Sequence, residues 1–377
     1  MIKVHMLPAG LGDFLWIRFG KGDKLDNNIV IDGGHDKFSG MYTQVLQSIA
    51  AKDQTAMIIM THIDSDHIQA AAQALCDLPE ELLSRVVDKI YFNTGRSIRK
   101  TQPPLVASGP AARNPEDEIT VSERGFTHSV KDGEKFLSMI ERKGLGERLV
   151  ELTVYPAEKE YKGARLRFVS PGQKEVDKLV QKWEKYNASR RNPRHAAVVP
   201  STTNLDDLKN ERLLQDTSVT NKSSLAFIFE YEGRRGAFLG DAAAPVVCAG
   251  LRSLGIKKHY PVDFVKISHH GSMRNISDKL LAAIPSKNYL ISTEGNPDAN
   301  VPNKITIAHM LKMSGAITIY NNYPWWAGNG AYHNAYFTED DLVNYIDKGT
   351  LKLVNLQGKT VKVDEGLAFS GVYTGLE

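Results

Sequence analysis

One run of twelve residues, Ala56-Met57-Ile58-Ile59-Met60-Thr61-His62-Ile63-Asp64-Ser65-Asp66-His67, constrains this chain more than any other. Its first five residues are apolar without alternation, as in a strand buried on both faces. Directly behind them stand four side chains able to bind a metal ion: His62, Asp64, Asp66 and His67. Ligands belong at a strand end, where a rigid sheet fixes their backbone while their tips stay open. Ile68 to Leu75, rich in Ala and Leu, predicts a helix starting just after His67. Taken alone, the motif also reads as a polar loop in which Asp66 caps that helix.

Two more sites weaken the capping reading. Asp241 follows the apolar Phe238-Leu239-Gly240, and the pair His269-His270 follows Phe264-Val265-Lys266-Ile267-Ser268. Four metal-competent side chains in six residues crowd one ion, but they suit two ions with a carboxylate such as Asp241 between them. Sites of that kind hold their ions roughly 3.5–4 Å apart with a hydroxide in between.

Elsewhere the pattern alternates strand and helix. Ile2–Leu7, Phe14–Phe19 and Asn28–Ile31 read as strands, the last running into Asp32-Gly33-Gly34, and a helix is expected over Tyr42–Ala51. Val86–Phe92 and Arg165–Val169 read as strands and Phe136–Lys143 as a helix. Ser224–Tyr231 pairs with Ala237–Leu239 as a hairpin, and Asn288–Ser292 and Ile317–Tyr320 are strands on either side of a Thr306–Met313 helix. Residues 173–220 are polar and basic without strand character and read as an insertion. The expected organisation is a main domain over 1–335 that carries this insertion, with a β-rich C-terminal extension, 336–377, packed on it.

These blocks resemble the metallo-β-lactamase superfamily, whose signature is His-x-His-x-Asp-His after a strand. Within it they are most similar to ComEC-type competence-protein hydrolase domains. The residues that carry the likeness are Gly12-Asp13, Asp32-Gly33-Gly34, Thr61–His67, Asn221–Phe227, Gly240-Asp241 and Ser268-His269-His270-Gly271-Ser272, in the expected order over about residues 1–325. The resemblance implies an α/β fold, a four-layer αββα sandwich with two divalent metal ions at one edge of its sheets. His62 and Asp64 would bind the first ion, and Asp66 and His67 the second. Asp241 would bridge, and one of His269 or His270 would complete the second site. Asp66 would also act in catalysis by orienting the attacking hydroxide. Asp32 would accept a hydrogen bond from a ligand histidine, and Asn221 belongs to a group motif.

The chain departs from the family at two points. Position 64 is Asp where the second histidine usually stands, and the isolated third histidine, expected before Asp241, has no clear counterpart. His128 and His195 follow no strand pattern and read as solvated loop histidines. A carboxylate in place of an imidazole makes the first site harder, which favours manganese or magnesium relative to zinc there.

Several function classes fall away on composition. A net charge of +3, with 42% hydrophobic and 24% charged residues, fits an ordinary globular protein and by itself points to no nucleic-acid partner. No apolar run is long enough to span a bilayer and no signal peptide opens the chain, so a cytoplasmic location without membrane attachment is expected. Cys76 and Cys248 read as reduced thiols. His270-Gly271-Ser272 offers N–H groups and a hydroxyl to an anion, and Arg190, Arg191 and Arg194 could line a basic rim, although a solvated insert is the commoner origin of such a run. The leading expectation is hydrolysis of a phosphate-containing substrate, a nucleic acid or nucleotide phosphodiester, with zinc or manganese. Lactone, thioester or amide hydrolysis is the second reading, and a metal-stabilised subunit that needs a protein partner is the third.

Overall fold

The computed structural model describes residues 1–95, 121–151, 153–186, 203–364 and 366–371. Its strands form two eight-stranded sheets. Sheet A begins with β1 (Ile2–Met6), β2 (Phe14–Phe19), β3 (Asn27–Asp32), β4 (Ala56–Ile59), β5 (Val87–Tyr91) and β6 (Leu149–Val150). Sheet B follows with β7 (Ala157–Tyr161), β8 (Ala164–Ser170), β9 (Ala226–Tyr231), β10 (Arg234–Phe238), β11 (Phe264–Lys266), β12 (Asn288–Ile291), β13 (Ile317–Asn321) and β14 (Leu351–Asn355). The chain then returns to sheet A through β15 (Lys359–Asp364) and β16 (Leu367–Gly371), and β16 lies parallel to β1. The C-terminal segment thus contributes strands to both sheets.

Helices α1 (Ser39–Ala50), α2 (Ser65–Asp77), α3 (Glu80–Val86), α4 (Val121–Arg142), α5 (Gln173–Tyr186), α6 (Leu205–Leu208), α7 (Val219–Lys222), α8 (Ala244–Ser253), α9 (Asp278–Ala283) and α10 (Lys304–Ser314) complete the layers. Alternation along the strands shows how they stack. In β3 and β4, Val30 and Ile58 pack outward with Val45, Leu46, Ala71 and Leu75 of α1 and α2. Their neighbours Ile29, Ile31, Met57 and Ile59 pack inward against Phe168, Phe227 and Phe229 of sheet B. On the far face of sheet B, Ile228, Val265, Ile291 and Ile319 meet Val247, Leu280, Ala308 and Leu311. Three apolar layers between four layers of backbone make an αββα sandwich. Strands buried on both faces explain why Ala56–Met60 reads as a continuous apolar run.

The elements differ from the sequence expectation in instructive places. Helix α2 starts at Ser65, so Asp66 and His67 belong to its first turn rather than preceding it. Helix α4 extends over Val121–Arg142 instead of Phe136–Lys143, and His128 lies within it rather than in a loop. Its Gly133 hides the helix pattern, but a Cβ there would come within 2.7 Å of the Trp183 ring. That tryptophan, from α5, donates its indole N–H to Glu134 (2.6 Å). The polar stretch 173–220 accordingly supplies α5 and α6 and begins α7, whose Thr220 reaches Asp64 of the metal-type motif. β7 leaves no apolar pattern in the sequence, because an edge strand carries charged, exposed side chains. Trp325 is fully buried and donates to Asn321, and the partly buried Trp326 packs edge-on against it. Cys76 and Cys248 are both free thiols. Among the described residues no helix is long and apolar enough to cross a membrane.

Candidate metal centre

β3 and β4 run parallel in sheet A, as do β10 and β11 in sheet B, so each pair ends at one edge of its sheet. Asp32 is the last residue of β3, and Thr61 and His62 follow β4. Asp241 follows β10, and His269 follows β11. The two edges are stitched together at this point: Leu225 N–H donates to the Thr61 carbonyl (2.8 Å), and Ser292 Oγ donates to the Gly12 carbonyl (2.8 Å). Gly12 itself lies so close to α2 that a Cβ would fall 1.6 Å from the Asp66 carbonyl oxygen. Close approach of this kind admits no side chain.

Backbone strain collects here. Asp32, His269 and His270 have φ values of 53°, 48° and 54°, a left-handed conformation that costs a non-glycine residue on the order of 1 kcal/mol or more. Three candidate site residues held in that region show that the surroundings dictate where their side chains point.

The atoms converge on Asp241. Its Oδ2 lies 3.5 Å from His67 Nε2, 3.8 Å from His62 Nε2, 3.7 Å from His269 Nε2 and 3.6 Å from His270 Nε2. His62 Nε2 is also 3.5 Å from Asp64 Oδ2, and Asp66 Oδ2 is 3.6 Å from His270 Nε2 and 3.9 Å from His67 Nε2. All seven candidate ligands from the sequence therefore meet at one place. These separations are too long for good hydrogen bonds. They suit neighbours around one cation, since donors about 2.1 Å from a tetrahedral ion stand about 3.4 Å apart.

A second observation points the same way. His62 Nε2, Asp64 Oδ1, His67 Nε2, Asp241 Oδ1 and His270 Nε2 are all buried without a hydrogen-bond partner. Buried polar atoms are almost always paired, and five orphans around one point have no structural use. Asp64 occupies the N-cap of α2, yet its carboxylate makes no capping bond. Asp66 sits two residues past the N-cap, too far in to cap. The residues present therefore fit divalent cations: imidazoles and carboxylates with free lone pairs, in sets such as His62-His67-Asp241 and Asp66-His67-His270.

Each imidazole is oriented from behind through its other nitrogen. Asp32, fully buried, accepts from Thr61 N–H (2.7 Å), Thr61 Oγ1 (2.7 Å) and His67 Nδ1 (2.8 Å). His62 Nδ1 meets Thr61 Oγ1 (3.0 Å), and His270 Nδ1 meets the Ser292 carbonyl (2.9 Å). His269 Nδ1 meets Asn275 Oδ1 (2.9 Å), with Asp216 Oδ2 at 3.6 Å. Asn221 donates to Asp216 (2.7 Å) and approaches His269 Nδ1 (3.4 Å), so its place is behind the histidine. Ser272 closes the turn, its N–H donating to the His269 carbonyl (2.8 Å) and its Oγ accepting from Arg274 N–H (3.3 Å). His195, Arg190, Arg191 and Arg194 lie outside the described residues.

The field at the site attracts positive charge. Burial works against a charged His67, but Asp241, Asp66 and Asp32 outweigh it and push its pKa well above that of a free imidazole. Burial likewise opposes charge on His269, and Asp241 and Asp216 overcome it, raising its pKa to about 9. Against the same opposition from burial, His67, His269 and His270 hold the Asp241 carboxyl well below the usual range. Asp64 is lowered too, its burial outweighed by His62 and by a hydrogen bond from Ser129 of α4.

Several of these supports were not foreseen from sequence. Lys266, buried in β11, pairs with the buried Asp13, whose Oδ1 stands 3.5 Å from His270 Nδ1. A lysine inside the apolar run Phe264–Ile267 could have signalled a buried partner. Asp216, Asn275, Ser129 and Thr220 carry no comparable signal.

No family model and no curated protein matches the chain. Solved structures similar to it include the metallo-β-lactamase fold protein YhfI from Bacillus subtilis, at 7% identity and a TM-score of 0.40, covering 87% of this chain and 96% of that one. Zn(2+)-bound PqqB from Methylobacterium extorquens is similar at 11% identity and a TM-score of 0.37, covering 92% and 87%. A diphosphatase from the PhnP family is similar at 8% identity and a TM-score of 0.35, covering 94% and 85%.

Proposed function

We propose that this protein is a metal-dependent hydrolase of the metallo-β-lactamase type, acting on phosphodiesters at a two-metal centre built around Asp241. The reading is carried by one observation: five buried, unpartnered imidazole and carboxylate atoms surround a single point where four histidine Nε2 atoms face one carboxylate oxygen. His62 and Asp64 would hold the first ion, Asp66, His67 and one of the His269-His270 pair the second, and Asp241 both. Zinc or manganese suits these donors, and Asp64 tilts the first site toward the harder ion. When bound, two such cations supply Lewis acidity, a nucleophile from water at neutral pH, and neutralisation of phosphate charge.

The protein's own residues would do the rest. Asp64, Asp66 and His269 have side chains 28%, 27% and 32% exposed, whereas those of His62, His67, His270 and Asp241 are buried, so substrate would enter from the exposed three. Asp66, open to solvent beside His67 and His270, is placed to accept a proton from an attacking water and aim its lone pair. Asp32 keeps His67 Nδ1 protonated and its Nε2 available.

The test is hydrolysis of bis(p-nitrophenyl) phosphate with manganese or zinc, with Asp66→Ala as control. Turnover that needs metal and drops at least about 100-fold in the variant supports the proposal. An absence of phosphodiester turnover with two ions bound would sink the substrate class, and ester or lactone turnover in the same panel would replace it.

A further inference from the structure

We infer that the two adjacent histidines are divided between the two ions, His269 joining His62 and Asp64 while His270 joins Asp66 and His67. The inference rests on the two-metal reading above and goes beyond it: among the described residues no isolated third histidine joins the cluster, and both members of one pair take its place.

Helix α7 fixes which flank His269 occupies. Thr220 Oγ1 donates to Asp64 Oδ2 (3.2 Å), and the next residue, Asn221, approaches His269 Nδ1 (3.4 Å). Asp64 and His269 are thus braced by consecutive residues of one short helix, and His62 Nε2 lies 3.5 Å from Asp64. On the other flank, His270 Nε2 is 3.6 Å from Asp66, and its ring centroid is 5.2 Å from that of His67. Asp241 stands between the flanks with His269 and His270 at 3.7 and 3.6 Å.

The backbone makes the division physically reasonable. In an extended strand, neighbouring side chains point to opposite faces, and only one of two histidines could reach the site. With both residues at left-handed φ, 48° and 54°, the side chains fan out as on a helix, and the two rings stand 78° apart while both face Asp241. Each ring has its own acceptor for Nδ1, Asn275 Oδ1 for His269 and the Ser292 carbonyl for His270. Two separate acceptors turn two separate Nε2 atoms inward, as two ligands require. On this division each ion would have two imidazoles, one carboxylate of its own and a share of Asp241.

Equilibrium dialysis against manganese(II) or zinc(II), followed by metal analysis, tests the division without reference to activity. Wild type should hold two ions per chain, and His269→Ala and His270→Ala one each. Adding Asp64→Ala to His269→Ala should leave the remaining ion in place, because both changes strip the same flank. Adding Asp64→Ala to His270→Ala should remove the last ion. The inference is overturned if His269→Ala keeps two ions with affinities within about 3-fold of wild type, a smaller change than even an outer-shell substitution gives. It is equally overturned if the ion left in His269→Ala depends on Asp64 rather than Asp66. Wild type holding fewer than two ions would instead bring down the two-metal reading beneath it. Should His269→Ala fail to fold, wild type loaded with cadmium-113 decides the matter: His269 and His270 Nε2 must couple to different cadmium resonances, and coupling to the same one refutes the division.

Discussion

The two sheets contribute to the same centre in opposite ways. Sheet A delivers His62, Asp64, Asp66 and His67 from one continuous turn between β4 and α2, and one residue from the neighbouring strand, Asp32, fixes His67 from behind. Sheet B delivers Asp241, His269 and His270 from two strand ends, through a turn in left-handed conformation. That flank is braced by residues scattered over the chain: Asp216 and Asn221 from the α7 region, Asn275 beyond the turn, and Asp13 reaching across from sheet A to Lys266. A site half is therefore compact where ligands lie on a helix start and dispersed where they come singly off strand ends. In the compact half the first turn of α2 sets the spacing of Asp66 and His67, while Asp64 is braced from outside that turn by Thr220 and Ser129. The dispersed half has no such template and relies on tertiary hydrogen bonds.

Asp241, which sheet B supplies, would serve both ions on the proposed reading. Asp241→Ala should abolish binding of both ions and lower hydrolysis by at least about 1000-fold, since the loss of Lewis-acid stabilisation is worth several kcal/mol. Metal analysis beside the phosphodiester assay checks it, and retention of either ion at full affinity would show that Asp241 is not shared between the ions.

Next in size is the buried ion pair that ties the dispersed half to sheet A. Burial disfavours charge on Asp13, yet Lys266 and then His270 outweigh it and hold its carboxyl well below the ordinary range. Asp13→Asn should cost about 3–5 kcal/mol in urea unfolding by leaving Lys266 buried and uncompensated, whereas Asp13→Asn with Lys266→Met should recover most of that loss. A carboxyl lowered on folding contributes stability at neutral pH that disappears as pH falls below the range of a free aspartate. Wild type should lose that increment in acid, and the double variant should not.

Legibility in the sequence followed the same division. The apolar Ala56–Met60 run, the four candidate ligands behind it and the strand-end positions of Asp241 and His269-His270 could be read because a buried strand and its terminus leave a one-dimensional signature. The sandwich could be read from its alternation and from the resemblance those blocks carry. What could not be read were contacts made at long sequence separation, such as Thr220 to Asp64 and Asn275 to Asp216, because hydroxyl and amide side chains look alike wherever they lie. The polar 173–220 stretch hid α5 for a related reason. That helix buries one stripe, with Val176, Leu179 and Trp183, in an otherwise charged sequence.

The matched outer supports give a finer test. Asp32→Asn and Asp216→Asn should each weaken metal binding by about 10–100-fold, the usual effect of removing the group behind a ligand histidine. Asp32→Asn should act on the ion held by His67, and Asp216→Asn on the ion held by His269. Isothermal titration of each variant resolves the two steps, and equal weakening of both steps in either variant would mean that the support does not act on one ion alone. Acid should weaken both together. His269 is raised to about 9 and His67 lies well above a free imidazole, so both carry protons at neutral pH before metal arrives. Loading must displace these protons, and apparent affinity should therefore rise with pH, by about 10-fold per unit for each proton released, until the raised values are passed.

The smallest expected effect concerns position 64, where the compact half carries Asp in place of the second histidine of the signature it resembles. Asp64 is held on three sides, by His62, by Thr220 and by Ser129, and its remaining oxygen is buried without a partner. Asp64→His would put a softer donor at that place, and the ratio of zinc to manganese affinity at the first ion should rise by about 10-fold with the second ion unchanged. The cradle limits the gain, because hydroxyls placed to donate to a carboxylate cannot all reorganise around an imidazole that needs an acceptor for its own N–H. Removing the hydroxyls in the same background, with Ser129→Ala and Thr220→Val, should therefore increase the zinc preference further. If the ratio stays where it is in wild type, the carboxylate at position 64 does not set the metal, and the choice rests with the imidazoles on both flanks.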